Sequence, residues 1–187
     1  MEENISHLAA KQCALLVVDI QERLMPVISD RDMVLKNSIL LIKAAKIFGM
    51  PIIATTQYAA RIGALLPDLA AELGDIRPID KVEFDCFNNG VFFSEVKKLP
   101  GEVNTFIVCG VETHICIYQT IIGGLQRGYR MWVPADGVSS RTVDNKATGL
   151  DIIRQAGALV GNTELIVYDL LQRAGTPEFK ELLPFLK

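Results

Sequence analysis

Histidine is nearly absent from this chain: His7 and His114 are its only two among 187 residues. A cysteine nucleophile most often borrows its base from histidine, but His7 lies in the N-terminal arm and His114 is two residues from Cys116. Positions i and i+2 on a helix do not face each other, which argues against a Cys–His pair. Cysteine is also sparse. The four residues at 13, 86, 109 and 116 include no C-x-x-C pair, so a metal knuckle or a dithiol redox motif is not encoded. No run of Lys and Arg follows the spacing of a phosphate backbone, and the net charge is −3, which disfavours nucleic acid as a partner.

Long apolar runs are missing too. The stretch from Ser38 to Ala45 is interrupted by Lys43, so no segment has the length of a membrane span. The first residues, Met1-Glu2-Glu3-Asn4, are acidic and no continuous apolar region follows them, unlike a signal or transit peptide. With free thiols and no export signal, a reducing cytosol is the expected compartment. Neither G-x-G-x-x-G nor a Walker A sequence is present, so no nucleotide cofactor is expected.

What is present is a hydrophobic chain with a regular alternation. Half of the residues are hydrophobic and 22% are charged; mean hydropathy is +0.28. That balance fits a globular chain with strands buried on both faces, or one with a large contact between copies. The length suits a single domain over residues 1–187. Strands are expected at 14–19, 51–55, 77–79, 103–109, 130–135 and 158–160, with helices at 32–48, 66–73, 92–99, 113–127, 143–156, 163–171 and 177–185. The segments 56–63, 80–90 and 136–140 read as loops. Strand–helix alternation predicts an α/β three-layer sandwich: a six-stranded, mostly parallel sheet with helices on both faces. In the order 3-2-1-4-5-6, strands one and four meet where the order reverses, and ligands bind outside the carboxyl ends of the strands at that point.

Cys116 follows the fourth strand and falls near the first turn of the helix after it. Two readings stand: a small buried hydrophobe, or a nucleophile whose thiolate the helix N-terminus favours and whose oxyanion the free backbone N–H groups of the turn receive. Asp19 ends the first strand and faces the same crevice, where it can act as a base. Lys81 follows the third strand on the same edge; it is either a solvated surface charge or a cation that reaches between Asp19 and Cys116 and depresses the thiol pKa.

These segments resemble the isochorismatase-like cysteine hydrolases. The resemblance runs from Leu16-Val17-Val18-Asp19-Ile20-Gln21-Glu22-Arg23 through Asp80-Lys81 to Gly110-Val111-Glu112-Thr113-His114-Ile115-Cys116. Thr55-Thr56-Gln57-Tyr58 and Ala135-Asp136-Gly137-Val138-Ser139-Ser140-Arg141 point to the small isochorismatase domain-containing hydrolases among them. The resemblance implies Cys116 as nucleophile, Asp19 as proton carrier and Lys81 as charge partner. It also implies a cis peptide bond between Val111 and Glu112, and an oxyanion hole made by the N–H groups of Glu112 and Cys116.

Nicotinamidases of this kind place an Asp and two His after the second strand to hold a metal. Here Thr55-Thr56-Gln57-Tyr58-Ala59-Ala60-Arg61 offers no such ligand, so no metal is expected. Covalent thiol chemistry suits a small-molecule amide, ureide or ester, while the family also includes vinyl-ether cleavage, often without a Cys nucleophile. Leu24, Gln57, Tyr58 and Phe84 are candidate substrate contacts, though Phe84, like Phe87, could equally be core. A non-catalytic, redox-responsive scaffold that keeps the fold is the alternative from outside enzymology. A homo-oligomer is expected, with helices around 120–127 and 143–153 as contact surfaces.

Overall fold

The computed structural model describes residues 6–186. The first strand, β1 (Cys13–Val18), is buried at every position, as expected of a parallel strand covered on both faces. Helix α1 (Arg31–Ile47) returns to β2 (Ile52–Gln57), which leads through the single turn α2 (Ala59–Ile62) and α3 (Pro67–Leu73) to the short β3 (Ile79–Lys81). Helix α4 (Gly90–Val96) precedes β4 (Thr105–Val111), again buried throughout. A π-helical turn (Thr113–Ile117) and α5 (Tyr118–Gln126) then lead to β5 (Arg130–Pro134) and β6 (Val138–Ser139). Helix α6 (Val143–Gln155), β7 (Leu159–Gly161), α7 (Thr163–Leu171) and α8 (Pro177–Leu182) complete the alternation.

The seven strands form one parallel sheet in the order β3-β2-β1-β4-β5-β7, with β6 paired to β4. The six strands of the main path reproduce the expected order. The seventh, β6, lies in a segment that reads as loop, because two residues are too few to show a period. Alternate residues of β1 divide the interior into two cores. Leu15 and Val17 pack with residues of α1, α3, α7 and α8 on one face. Ala14, Leu16 and Val18 pack with Phe92, Ile121 and Ile153 of α4, α5 and α6 on the other, where Cys116 also lies.

The β1–β4 seam is unusually tight at its carboxyl end. Gly110 has φ +121°, and a Cβ there would sit 2.0 Å from the Val18 carbonyl oxygen, so only glycine lets the two strands meet. Immediately beyond the seam, Asp19 takes a left-handed backbone (φ 56°), which Asp tolerates better than most residues. Tyr58, just past the end of β2, does the same (φ 43°). Non-glycine residues in this region are uncommon and cluster at ligand sites. Here both stand on the edge where ligands of open α/β sheets bind.

Candidate active site

Two strand ends place the charged groups. Asp19 follows β1, and Lys81 is the last residue of β3, two residues later than the strand expected at 77–79. That extension carries Lys81 into the sheet and buries it, so it is no solvated surface charge. Its Nζ donates to Asp19 Oδ2 at 2.7 Å and to Gln57 Oε1 at 2.7 Å. Asp19 Oδ1 accepts a hydrogen bond from Thr55 Oγ1 at 2.8 Å. Both side chains of the Lys81–Asp19 pair are closed to solvent. Burial works most strongly against the charge on Lys81, but attraction to Asp19, Cys86 and Cys116 and the hydrogen bond to Asp19 together outweigh it and hold the ammonium above the ordinary lysine pKa.

Cys116 lies in the π-helical turn, 5% exposed, close enough to Asp19 and Lys81 to feel both charges. The carbonyl of Glu112 accepts from the N–H groups of both Ile115 and Ile117, which gives the turn its wide winding. Burial raises the Cys116 pKa above that of a free thiol; the Asp19 carboxylate raises it further, and Lys81 offsets only part of this. The depressed pKa expected from the sequence is therefore corrected. The helix end and the lysine do not overcome desolvation and a neighbouring carboxylate, so Cys116 rests as a neutral thiol beside Asp19.

The Val111–Glu112 peptide bond is cis. The Glu112 side chain is gripped by Arg141, whose backbone N–H and Nε donate to Oε2 and whose Nη2 donates to Oε1 at 2.7 Å. Burial tends to raise the Glu112 pKa, but the bonds from Arg141 prevail and keep the carboxyl below the usual glutamate value. His114 faces Ser140 rather than Cys116: its Nδ1 lies 2.9 Å from Ser140 Oγ.

The candidate substrate contacts separate into two groups. Tyr58 (46% exposed) and Phe84 (48% exposed) stand open beside the ends of β2 and β3, which makes Phe84 no core residue, in contrast to the buried Phe87. Gln57 is turned inward instead. Its Nε2 donates to the Val82 carbonyl and its Oε1 accepts from Lys81, so both ends of its amide are taken by the protein. Leu24 packs against the core on the α1 face, across the sheet from the cluster that contains Cys116. Of the four, Tyr58 and Phe84 are exposed, Leu24 is half-buried and Gln57 is buried.

Thr55 and Gln57 as partners of the ion pair, and Arg141 as the anchor of Glu112, were not picked out as such in the sequence. A signal existed for the first two: polar residues at alternate positions of a central strand must find partners inside. Among the described residues, no group of three or more His, Cys, Asp and Glu side chains is clustered to hold a metal ion. No helix among them is long and apolar enough to cross a membrane.

Residues 13–164 match the isochorismatase domain. The chain is 34% identical over 182 residues to isochorismatase domain-containing protein 2 of Danio rerio, covering 97% of this chain and 90% of that one. A Caenorhabditis elegans structure described as MAR1 ribonuclease superimposes with a TM-score of 0.89 at 29% identity, covering 97% of this chain and 92% of that chain. The YcaC gene product of Escherichia coli, described as an octameric hydrolase of unknown specificity, shares the fold with a TM-score of 0.89 at 23% identity, over 98% of this chain and 92% of that chain. A domain match over most of the chain, and a relative aligned over nearly its whole length, place the chain in the isochorismatase family.

Proposed function

We propose that this chain is a metal-independent cysteine hydrolase acting on a small amide, ureide or ester. The observation that carries the reading is the buried meeting of Cys116, Asp19 and Lys81 on one sheet edge. Membership of a hydrolase family supports the class of reaction. The raised thiol pKa supports a concerted start: Asp19 takes the proton from Cys116 as Sγ attacks the substrate carbonyl. The N–H groups of Glu112 and Cys116 receive the oxyanion. Asp19 then passes the proton to the leaving nitrogen or oxygen as the tetrahedral adduct collapses to a thioester. Water attacks the thioester with Asp19 as base, and Cys116 leaves as a thiol. Lys81 stays charged throughout and remains paired with the Asp19 side chain. Tyr58 and Phe84 supply apolar walls for the acyl part of the substrate.

The substrate is small. The C. elegans relative is described as a ribonuclease, but here the net charge is −3 and no basic run is present to hold a phosphate backbone. We also propose that the chain works as one domain in a homo-oligomer. The apolar composition supports this, as do the exposed Val143 and Ile152 on α6, and the E. coli relative is described as octameric.

A panel of small amides, ureides and esters, followed by mass spectrometry of the quenched protein, tests the reading. Wild type should turn over at least one compound and carry its acyl group on Cys116; Cys116→Ser should do neither. Turnover that survives in Cys116→Ser, or a wild type inert to the whole panel, would overturn it.

A further inference from the structure

The geometry points to Gln57 as a positioning residue: it holds the Lys81 ammonium in place beside Cys116 and thereby sets how readily the thiol ionises. This rests on the reading of Cys116, Asp19 and Lys81 as the reacting group.

An ammonium has three N–H donors. Asp19 Oδ2 takes one from Lys81 at 2.7 Å, and Gln57 Oε1 takes a second, also at 2.7 Å. With Asp19 as its sole acceptor, a lysine seated on that carboxylate at 2.7 Å is still free to turn about the one bond. The neutral acceptor on the neighbouring strand holds Nζ between two points and fixes the direction of the remaining N–H. It adds no negative charge that would oppose the Cys116 thiolate.

Gln57 is itself held from several sides. Its Nε2 donates to the Val82 carbonyl at 2.8 Å, which orients the amide with its oxygen toward Lys81. Its backbone is clamped by Gln21, whose Oε1 accepts from the Gln57 N–H at 2.7 Å and whose Nε2 donates to the Gln57 carbonyl at 3.1 Å. Gln21 Nε2 also donates to the Gly63 carbonyl at 2.7 Å, which ties the clamp to the turn after α2. Gln21 is closed to solvent and Gln57 nearly so. Buried amides this fully engaged keep one orientation.

Replacing Gln57 with Met keeps the length of the side chain and removes the strong acceptor. Lys81 then loses a charge-assisted bond and is free to turn about its remaining contact with Asp19, so its ammonium is held less steadily near Cys116 and the thiolate is less favoured. The readout is the rate of iodoacetamide alkylation at Cys116 between pH 8 and 10.5, with the labelled residue identified by mass spectrometry and the melting temperature recorded beside it.

For Gln57→Met the expected result is a profile displaced about one pH unit upward, or about tenfold slower labelling at a fixed pH. A folded Gln57→Met whose profile coincides with that of wild type overturns the positioning role. Wild type in which Cys116 is not the labelled residue overturns the underlying reading instead. If Gln57→Met does not fold, a crystal structure of the wild-type chain decides: Lys81 Nζ within hydrogen-bond distance of Gln57 Oε1 supports the role, and Nζ turned away overturns it.

Discussion

Lys81 Nζ and Asp19 Oδ2 are 2.7 Å apart in a place where neither side chain meets solvent. An ion pair in that setting gains little over an apolar pair of the same shape, because both charges had to leave water. Losing one partner is far worse, since the other is left buried and uncompensated. Lys81→Met should cost about 3–5 kcal/mol in urea unfolding. The Asp19→Asn/Lys81→Met double variant should cost clearly less than the sum of the two single changes. Additive losses, each under about 1 kcal/mol, would show that the two charges do not depend on each other.

Asp19 also bears on the thiol. Its carboxylate raises the Cys116 pKa, so neutralising it must lower that pKa, and the unpaired ammonium of Lys81 adds to the effect. Asp19→Asn should therefore alkylate faster than wild type at pH 8 while losing the ability to move a proton in catalysis. The thiolate's ultraviolet absorbance against pH gives the same comparison directly. A midpoint for Asp19→Asn at or above that of wild type would contradict the arrangement.

Alkaline stability follows from the other thiols. Burial pushes Cys13 up to about 11, and Cys86 and Cys109 to about 12, against about 8.5 for an unfolded chain. Between these values the unfolded chain gives up thiol protons that the folded chain keeps. The folded state then binds more protons, so stability is intact below about pH 8.5 and falls as pH rises above it. The expected slope is up to about 1.4 kcal/mol per pH unit for each thiol. Urea unfolding from pH 7 to 10.5 should show the fall, and Cys109→Ala should reduce its steepness. Equal slopes in the two proteins would remove Cys109 from the account.

Gly110 offers a steric test. A methyl group there would overlap the Val18 carbonyl in the tightest part of the sheet, where the backbone already has a φ that favours glycine. Gly110→Ala should cost at least about 3 kcal/mol in thermal or urea unfolding. Gly128→Ala is the control, because its φ is also positive (+82°) but nothing lies within 4 Å of its Cβ position. Similar losses at the two sites would mean that backbone strain, not the close approach, governs Gly110.

The sequence exposed the layers of this fold better than its edges. Buried strands such as β1 and β4 carry continuous apolar runs, and the helices between them end at glycine, so strand order and sidedness could be read. β6 could not, since its two residues gain their pairing only from β4. At the site, Asp19 and Cys116 are legible because each follows a strong strand. The role of Gln57 is not, because β2 reads as ending at Thr55, and two further residues decide whether that amide faces water or Lys81. The direction of the Cys116 shift is set by how deeply the crevice is closed, a property of packing that no local run of residues carries.

The position of β4 also dictates when the protein can come into being. β1 is hydrogen-bonded to β2 on one side and to β4 on the other, yet β4 is made only after residue 104. On the ribosome, the first three strands must wait with one flank of Cys13–Val18 bare. An apolar strand with an open edge is a template for pairing with another chain. A polypeptide that stops short of Thr105 would present that edge permanently, and its default fate is self-association rather than partial activity.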